Sequence, residues 1–451
     1  MRLDYELLAR YDARVPRYTS YPTAPHFHGG VDGAAYGSLL AGLNPDQSLS
    51  LYFHIPFCAQ MCWYCGCHTR VAAQYDQIDA YARVVERELD LVAAAIPHRA
   101  KVSHVHWGGG TPTMLSTEDF SAIMERIHRH FDLDENTEVA VEIDPRTATA
   151  EKIDTLARVG VTRASLGVQD FTLRVQEAIN RVQPFEMTAE TSARLREAGI
   201  NALNFDLMYG LPTQTSEDIE RTVEMAASLQ PDRIALFGYA HVPWMKTHQK
   251  MIDEDALPDG PARLDQAYAA ADALTWAGYR RIGLDHFAKP GDELVTALDA
   301  GTLRRNFQGY TTDQAVDLIG IGASAIGSIG DTVIQNAIPL RDYRAAIDDG
   351  RFATAKGIQL GEDDFLRRDL IERIMCDLKV DVAAVCQLHN VDPASIRPEY
   401  SGLTDLIGDG LVKLDGDLIT VTELGRPLIR SVCAVFDRYL SPDAERHSRA
   451  V

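Results

Sequence analysis

The sequence predicts an α/β protein whose main part is a partial, TIM-like (β/α)6-type barrel, extended at its N-terminus and followed by a small, mostly helical, winged-helix-like domain. Three observations carry this. From about residue 48 to 285, short β-rich runs alternate with longer amphipathic helical segments, the pattern of parallel βαβ units. The unusual residues of the chain fall just after those runs, where a barrel of parallel strands presents its chemistry. Beyond about Gly361 the alternation stops and helical patterns surround one tight hairpin signal.

Taken in order, residues 1–45 form the extension, 46–355 the barrel and 356–451 the C-terminal domain. The strand candidates are Leu49–His54, Val102–Trp107, Glu138–Ile143, Arg163–Gly167, Ala202–Met208 and Arg233–Tyr239, with a weaker seventh near Tyr279–Leu284. Between the first two, Ile78, Tyr81, Val85, Leu89, Val92 and Ile96 recur at intervals of three and four, which gives a helix one apolar face. Ser116-x-x-Asp119 and Thr215-x-x-Asp218 read as capping boxes at helix starts. Gly160, Gly199 and Gly278 read as helix ends just before a strand. In the C-terminal part a helix around Phe365–Ile374 leads to Asp415-Gly416, a hairpin signal, and then to a helical run from about Glu423 to Tyr439.

The net charge of −21 argues against a general nucleic-acid binder, because phosphate contacts need clustered Lys and Arg. The winged-helix-like part is no exception, with 17 acidic against 11 basic residues between 361 and 451. The opening MRLDYELLAR is charged throughout and reads as neither signal peptide nor anchor. The uncharged stretch Leu318 to Gly330 is too short for a membrane span of about 20 residues. A cytosolic location follows as the expectation, and with it an odd count of seven cysteines argues against a disulfide framework.

Four of those cysteines lie together, in His54-Ile-Pro-Phe-Cys58-Ala-Gln-Met-Cys62-Trp-Tyr-Cys65-Gly-Cys67-His68. Three thiolates at this spacing can hold three irons of a cubane and leave the fourth open for a ligand, which a closed four-cysteine site cannot do. The spacing favours an iron–sulfur cluster. It leaves standing a zinc site completed by His68 or Cys67, and also a loop with no metal. No second cysteine pair follows, as structural zinc usually requires; Cys376, Cys386 and Cys433 are isolated and read as small buried hydrophobes.

The run Cys-x3-Cys-x2-Cys after a first barrel strand resembles the radical S-adenosylmethionine (SAM) enzymes. More narrowly, HIPFCxxxCxYCGC is similar to the oxygen-independent coproporphyrinogen III oxidase (dehydrogenase) family. The similarity continues through RYTSYPTA at Arg17 to Ala24, WGGGTPT at Trp107 to Thr113, VEIDPR, LGVQDF, NFDLMYGLPTQT, GLDHFAKPGDEL and RNFQGYTT at Arg305 to Thr312. It spans nearly the whole chain.

The resemblance implies a 4Fe-4S cluster on Cys58, Cys62 and Cys65, with Cys67 outside that trio but counted among the cofactor-binding residues. It implies two SAM molecules in one site. Tyr52, Gly109, Glu142 and Ile326 would contact the cluster-bound one; Tyr64, Gly110, Thr111, Gln169, Arg181, Asp206 and Ala240 would contact the second. Arg181 and Asp206 suit the carboxylate and ammonium of a zwitterion. Tyr52, Phe307 and Gln308 would stand near the reacting atoms. The implied reaction is oxidative decarboxylation of two propionates of coproporphyrinogen III to vinyl groups, giving protoporphyrinogen IX in anaerobic haem biosynthesis. The implied partners are that substrate, a flavodoxin- or ferredoxin-like electron donor and an electron acceptor of unknown identity, acting on a monomer. The N-terminal extension would contribute to the substrate site, with Arg17, Arg304 and Arg305 as candidates for the propionates. Radical chemistry requires no general acid–base pair, so His54 and His68 need no catalytic role. Two other readings compete: a haem-binding chaperone on the same scaffold, against which Cys67 and QGYTT argue, and a zinc-stabilised interaction protein.

Overall fold

The computed structural model describes residues 2–440, so the end of the expected C-terminal domain, 441–451, lies outside the described residues. Six strands follow one another in space as in sequence: β1 (Leu49–Ile55), β2 (Lys101–Gly109), β3 (Asp132–Ile143), β4 (Arg163–Gln169), β5 (Ala202–Tyr209) and β6 (Arg233–Gly238). All are parallel to their neighbours, as the βα alternation requires. The connecting helices bury the outward-facing side chains. On β1, Leu51, Phe53 and Ile55 are fully buried, each stabilising the fold by about 1.5–3 kcal/mol relative to exposure. The alternate residues, Tyr52 among them, face the lumen.

A strand forms where the sequence suggested a seventh, but it does not join the barrel as a parallel strand. Arg280–Ile282 (β7) and His286–Ala288 (β8) form a short antiparallel hairpin, and β8 runs antiparallel to β6. Three residues separate the two, too few for a parallel crossover. After a second hairpin, Arg304–Asn306 (β9) with Gly309–Thr311 (β10), the parallel seventh strand is Asp317–Ile321 (β11), which pairs with the free side of β1. Ile326–Ile329 (β12), Thr332–Asn336 (β13) and Thr354–Gln359 (β14) extend the sheet antiparallel beyond it, to twelve strands. The division expected at residue 355 therefore falls inside a strand, because pairing with β13 carries β14 to Gln359.

Local signals hold where their partners are free. Thr215 and Asp218 make both halves of a capping box. At Ser116 only the hydroxyl half forms, since the Asp119 carboxylate is taken by Tyr75 and Arg83. The C-terminal unit places helices Glu362–Asp377 and Val382–Leu388 against a three-stranded antiparallel sheet of Lys379–Asp381 (β15), Val412–Asp415 (β16) and Leu418–Val421 (β17). The long final helix is instead a 3-10 turn, Arg426–Leu428, followed by a short helix, Ile429–Ala434. Pro427 favours a helix start rather than an interior, and the chain turns after Ala434 to bury Phe436.

The N-terminal extension serves both cores. Leu3, Leu8, Val15, Tyr18 and Tyr21 pack into the C-terminal unit beside Leu366, Leu370 and Ile374, whereas Val31, Tyr36, Leu40 and Leu43 join the barrel core. The chain start is thereby drawn across the C-terminal mouth of the barrel, where Arg17 Nη2 donates to the Gly238 carbonyl at the end of β6.

Candidate active site

The cysteine loop leaves β1 at Ile55. Its base is closed by the two-residue pairing of Phe57–Cys58 with Arg70–Val71. Between them the backbone is irregular, so its polar groups need partners elsewhere, and two segments supply them. On one side, the Trp63 N–H donates to Ile179 O (3.0 Å) and Asn180 Nδ2 to Met61 O (2.8 Å). On the other, Gln249 Nε2 donates to Tyr64 O (3.0 Å), His248 to Cys65 O (2.7 Å) and Lys246 to Cys67 O (2.9 Å).

Donors also surround the sulfurs. Arg146 Nη2 and Arg181 Nη1 stand 3.3 and 3.5 Å from the buried Cys62 Sγ, and Thr111 Oγ1 stands 3.6 Å from Cys58 Sγ. A hydrogen bond from Cys67 draws the Cys65 thiol down to about 6, while burial pushes Cys58 up to about 11. Among the described residues, no three His, Cys, Asp or Glu side chains converge as ligands of a single metal ion would. The sulfurs of an iron–sulfur cluster are tuned by hydrogen bonds like these. The donor set therefore fits a cluster on Cys58, Cys62 and Cys65. Cys67 and His68 are exposed to solvent, and Cys67 bonds the Cys65 thiol.

The next layer lies in the lumen. Tyr52 pairs in register with His106 of β2, and their rings stack with centroids 5.9 Å apart. His54 Nε2 donates to His68 O (3.0 Å), which leaves Nδ1 to accept from the Tyr52 hydroxyl (3.0 Å). Burial holds His54 below its ordinary range, hence neutral, and its role is to orient Tyr52. Glu142, half-exposed at the end of β3, accepts from the Gly109 N–H at 3.2 Å. The glycine run permits this packing. A Cβ on Gly108 would meet Glu142 Oε1 at 2.8 Å, one on Gly109 the His54 ring at 2.8 Å, and one on Gly110 the Phe57 carbonyl at 2.7 Å. Gly109 also has φ 115°, a conformation side chains resist.

Further round, Gln169 ends β4 with φ 68°, and Asp206 of β5 accepts from Asn204 (3.0 Å) and Ser165 (3.3 Å). Burial, and then the charge of Glu142, lifts the Asp206 carboxyl to about 7. Arg181 is buried, with Nη1 3.2 Å from Asp144 and Nη2 donating to Gly167 O at 2.7 Å. Burial favours the neutral form of Asp144, but Arg181 and Arg146 outweigh it and hold that carboxyl below its usual range. Arg181 Nε and Arg146 Nη1 remain buried without a hydrogen-bond partner, two donors that a bound carboxylate would satisfy. The Ala240 carbonyl shares the Gln249 amide with Tyr64, which ties the end of β6 to the cysteine loop.

Three expected residues lie apart from these contacts. Phe307 and Gln308 form the tip of the β9–β10 hairpin, and Ile326 opens β12 against Gly320, whose missing side chain admits the Ile326 backbone. Arg304 turns toward the C-terminal unit and pairs with Glu372 at 3.2 Å, while Arg305 pairs with Asp285 at 3.6 Å. Sequence reading missed Asp144, Arg146, Asn180, His248 and Gln249 as parts of the site. Asp144 and Arg146 lie within the EIDPR run; the clamp residues carry no local signal.

Residues 52–226 match the radical SAM superfamily, and residues 360–428 match the HemN C-terminal domain. A curated relative named oxygen-independent coproporphyrinogen III oxidase, from Bradyrhizobium diazoefficiens, is 51% identical over 98% of this chain and 98% of its own. One of the same name from Paracoccus denitrificans is 41% identical over 99% and 98%. A solved structure of coproporphyrinogen III oxidase (HemN) from Escherichia coli, described as a radical SAM enzyme, superposes with a TM-score of 0.91 at 39% identity, covering 98% of this chain and 100% of that one.

Proposed function

The chain belongs to the oxygen-independent coproporphyrinogen III oxidase family, and from that premise we propose how its residues divide the work. The protein is a radical SAM oxidoreductase of anaerobic haem biosynthesis. It converts two propionates of coproporphyrinogen III to vinyl groups. Each propionate loses one hydrogen atom, CO₂ and one electron, and the product is protoporphyrinogen IX. When bound, a 4Fe-4S cluster with SAM supplies the 5′-deoxyadenosyl radical that removes the hydrogen atom, chemistry no side chain provides.

Cys58, Cys62 and Cys65 would hold the cluster, Arg146 and Arg181 would offset its negative charge, and Thr111 would donate to the Cys58 sulfur. Tyr52, Gly109, Glu142 and Ile326 bind the first SAM; the ring of Tyr52 is fixed beforehand by His54 and His106, so little ordering is lost on binding. Tyr64, Gly110, Thr111, Gln169, Arg181, Asp206 and Ala240 bind a second SAM, with the buried Nε of Arg181 free to receive its carboxylate. Cys67 borders the same space and holds the Cys65 thiol toward its ionised form. Phe307 and Gln308 approach the substrate from the hairpin tip. A flavodoxin- or ferredoxin-like protein delivers the reducing electron, and a separate acceptor takes the one released. The enzyme works as a monomer in the cytoplasm; no described helix is long and apolar enough to cross a membrane.

The observation that carries this reading is the placement of three thiols and two guanidiniums at one end of the barrel, beside the Tyr52–Glu142 layer. The test is anaerobic incubation of reconstituted protein with reductant, SAM and coproporphyrinogen III. Protoporphyrinogen IX and 5′-deoxyadenosine are the expected products. Retention of haem without any decarboxylation would replace this reading with that of a carrier.

A further inference from the structure

On the helix Asp76–Ala95, Tyr81 and Glu88 share one face two turns apart, and both are buried, Glu88 to 2% exposure. A carboxylate is tolerated there only if its oxygens are bonded. Three donors meet them: the Gly322 N–H (2.7 Å), the Tyr343 hydroxyl (2.6 Å) and Asn336 Nδ2 (2.6 Å). They come from the turn after β11, from the helix Leu340–Asp348 and from the end of β13. Burial still raises the Glu88 carboxyl to about 7, against the pull of these bonds.

These bonds form where the sheet stops. The β1–β11 ladder ends with Phe53 opposite Ile321, so the next groups, the His54 carbonyl and the Gly322 N–H, have no partner in that ladder. The helix supplies one to each: Tyr81 donates to His54 O at 2.7 Å, and Glu88 accepts from Gly322. The Tyr81 hydroxyl also accepts from the Ala323 N–H at 2.9 Å, and Asn336 Nδ2 donates to Gly322 O at 3.0 Å. A Cβ on Gly322, whose φ is 105°, would stand 2.5 Å from His54 O, so the turn and the end of β1 are in direct contact. An apolar side chain in place of Glu88 would avoid the cost of burying a charge and would strand the Gly322 N–H.

Both sides of this junction lead to residues assigned to the first SAM. On the β1 side, His54 Nδ1 accepts from the Tyr52 hydroxyl at 3.0 Å. On the other, the turn runs from Gly322 through Ala325 and delivers the chain to Ile326, the first residue of β12. We propose that Glu88 is a positioning residue for SAM: by fastening the turn after β11 to the helix Asp76–Ala95, it fixes the spacing between the Tyr52 and Ile326 contacts. The inference rests on the functional reading above and adds to it Glu88, with Tyr81, Asn336 and Tyr343 as its supports.

The test compares Glu88→Gln, which keeps the shape but sets an amide NH2 against one of the three donors, with Val92→Ala, a buried apolar position on the same helix. SAM affinity is titrated through the EPR spectrum of the reduced cluster in reconstituted protein, at a pH of about 8.5 where Glu88 is ionised. Iron and sulfide content and the melting curve report the cluster and the fold. At full cluster content Glu88→Gln is expected to bind SAM at least about tenfold more weakly, the worth of one charge-assisted hydrogen bond, while Val92→Ala loses stability and stays within about twofold. A folded Glu88→Gln that binds SAM like the wild type overturns the proposal, as does a Val92→Ala that weakens binding equally. Should Glu88→Gln not fold, Tyr343→Phe decides, since it removes one donor and adds no clash: weaker SAM binding with an intact cluster supports the proposal, and unchanged binding overturns it. The functional reading is judged separately, by turnover of the wild type. SAM binding that depends on Glu88, without any protoporphyrinogen IX, keeps the positioning role and removes the reaction; turnover with an unaffected Glu88→Gln does the reverse, and a wild type that binds no SAM removes both.

Discussion

Gly110→Ala asks whether close backbone packing positions the cluster ligands. An added Cβ would stand 2.7 Å from Phe57 O, 2.9 Å from its N and 3.0 Å from its carbonyl carbon, where ordinary contact begins at 3.4 Å. All three are backbone atoms, so no side chain can swing aside. Phe57 must retreat by several tenths of an ångström, carrying Cys58 with it, although its ring is held edge-on against Tyr81 at 5.3 Å. Overpacking of this kind costs about 1–3 kcal/mol, which lowers the melting temperature by a few degrees and leaves the fold intact. Activity suffers more, because a misplacement of about 1 Å at a reacting centre can cost about a hundredfold. The control is Gly66→Ala in the same loop, where a Cβ meets nothing within 4 Å. The assay compares iron and sulfide content after anaerobic reconstitution with the rate of SAM cleavage. Gly110→Ala is expected to fall at least tenfold below Gly66→Ala in cleavage; equal rates in the two variants would refute the packing argument.

The cluster assignment requires that Ser at Cys58, Cys62 or Cys65 abolish SAM cleavage, whereas Ala at the buried Cys376, Cys386 or Cys433 costs stability and leaves cleavage in place; full cleavage by Cys62→Ser would contradict it. The two clamps on the cysteine loop are expected to back each other up. Asn180→Ala and Gln249→Ala should each speed iron loss to a chelator modestly, and the double variant by more than the product of the two effects, so that strict multiplicativity counts against a shared role. Asp206 supplies a pH signature in SAM-free protein. Its carboxyl is raised from 3.8 to about 7, so between those values the folded chain holds a proton that the unfolded chain releases, and stability falls as pH rises through that window. Asp206→Asn should flatten that part of the melting-temperature profile; an unchanged slope would show that the carboxyl is not the cause.

The barrel was legible because β1 to β6 each combine an alternating strand pattern with a following amphipathic helix, so neighbours in sequence are neighbours in space. That logic fails at β11, whose Leu318-Ile319-Gly320-Ile321 follows a hairpin rather than a helix and pairs with β1 from the far end of the barrel sequence. The cysteine trio was legible as a spacing, and the fold brings donors to two of its sulfurs. Arg181 was legible only in part: it reads as a ligand for a carboxylate, yet in the fold it already holds Asp144 and touches Cys62. The contributions of Asn180 and Gln249 could not be read, since a buried amide gains its meaning from the carbonyls brought to it, and those belong to a loop more than a hundred residues earlier.

That dependence explains why the cluster loop and the ligand residues form one mechanical unit. The loop has almost no regular structure of its own, so its carbonyls must be met from outside or leave polar groups stranded. Both segments that meet them also touch residues proposed to bind SAM: Asn180 is followed by Arg181, and Gln249 bonds the carbonyl of Ala240. On the proposed assignment, a shift of the cysteine loop is transmitted to the Arg181 guanidinium and to the end of β6, and a ligand bound there would stiffen the loop in return. Asn180 and Gln249 thus tie the cysteine loop after β1 to the proposed SAM contacts at Arg181 and Ala240.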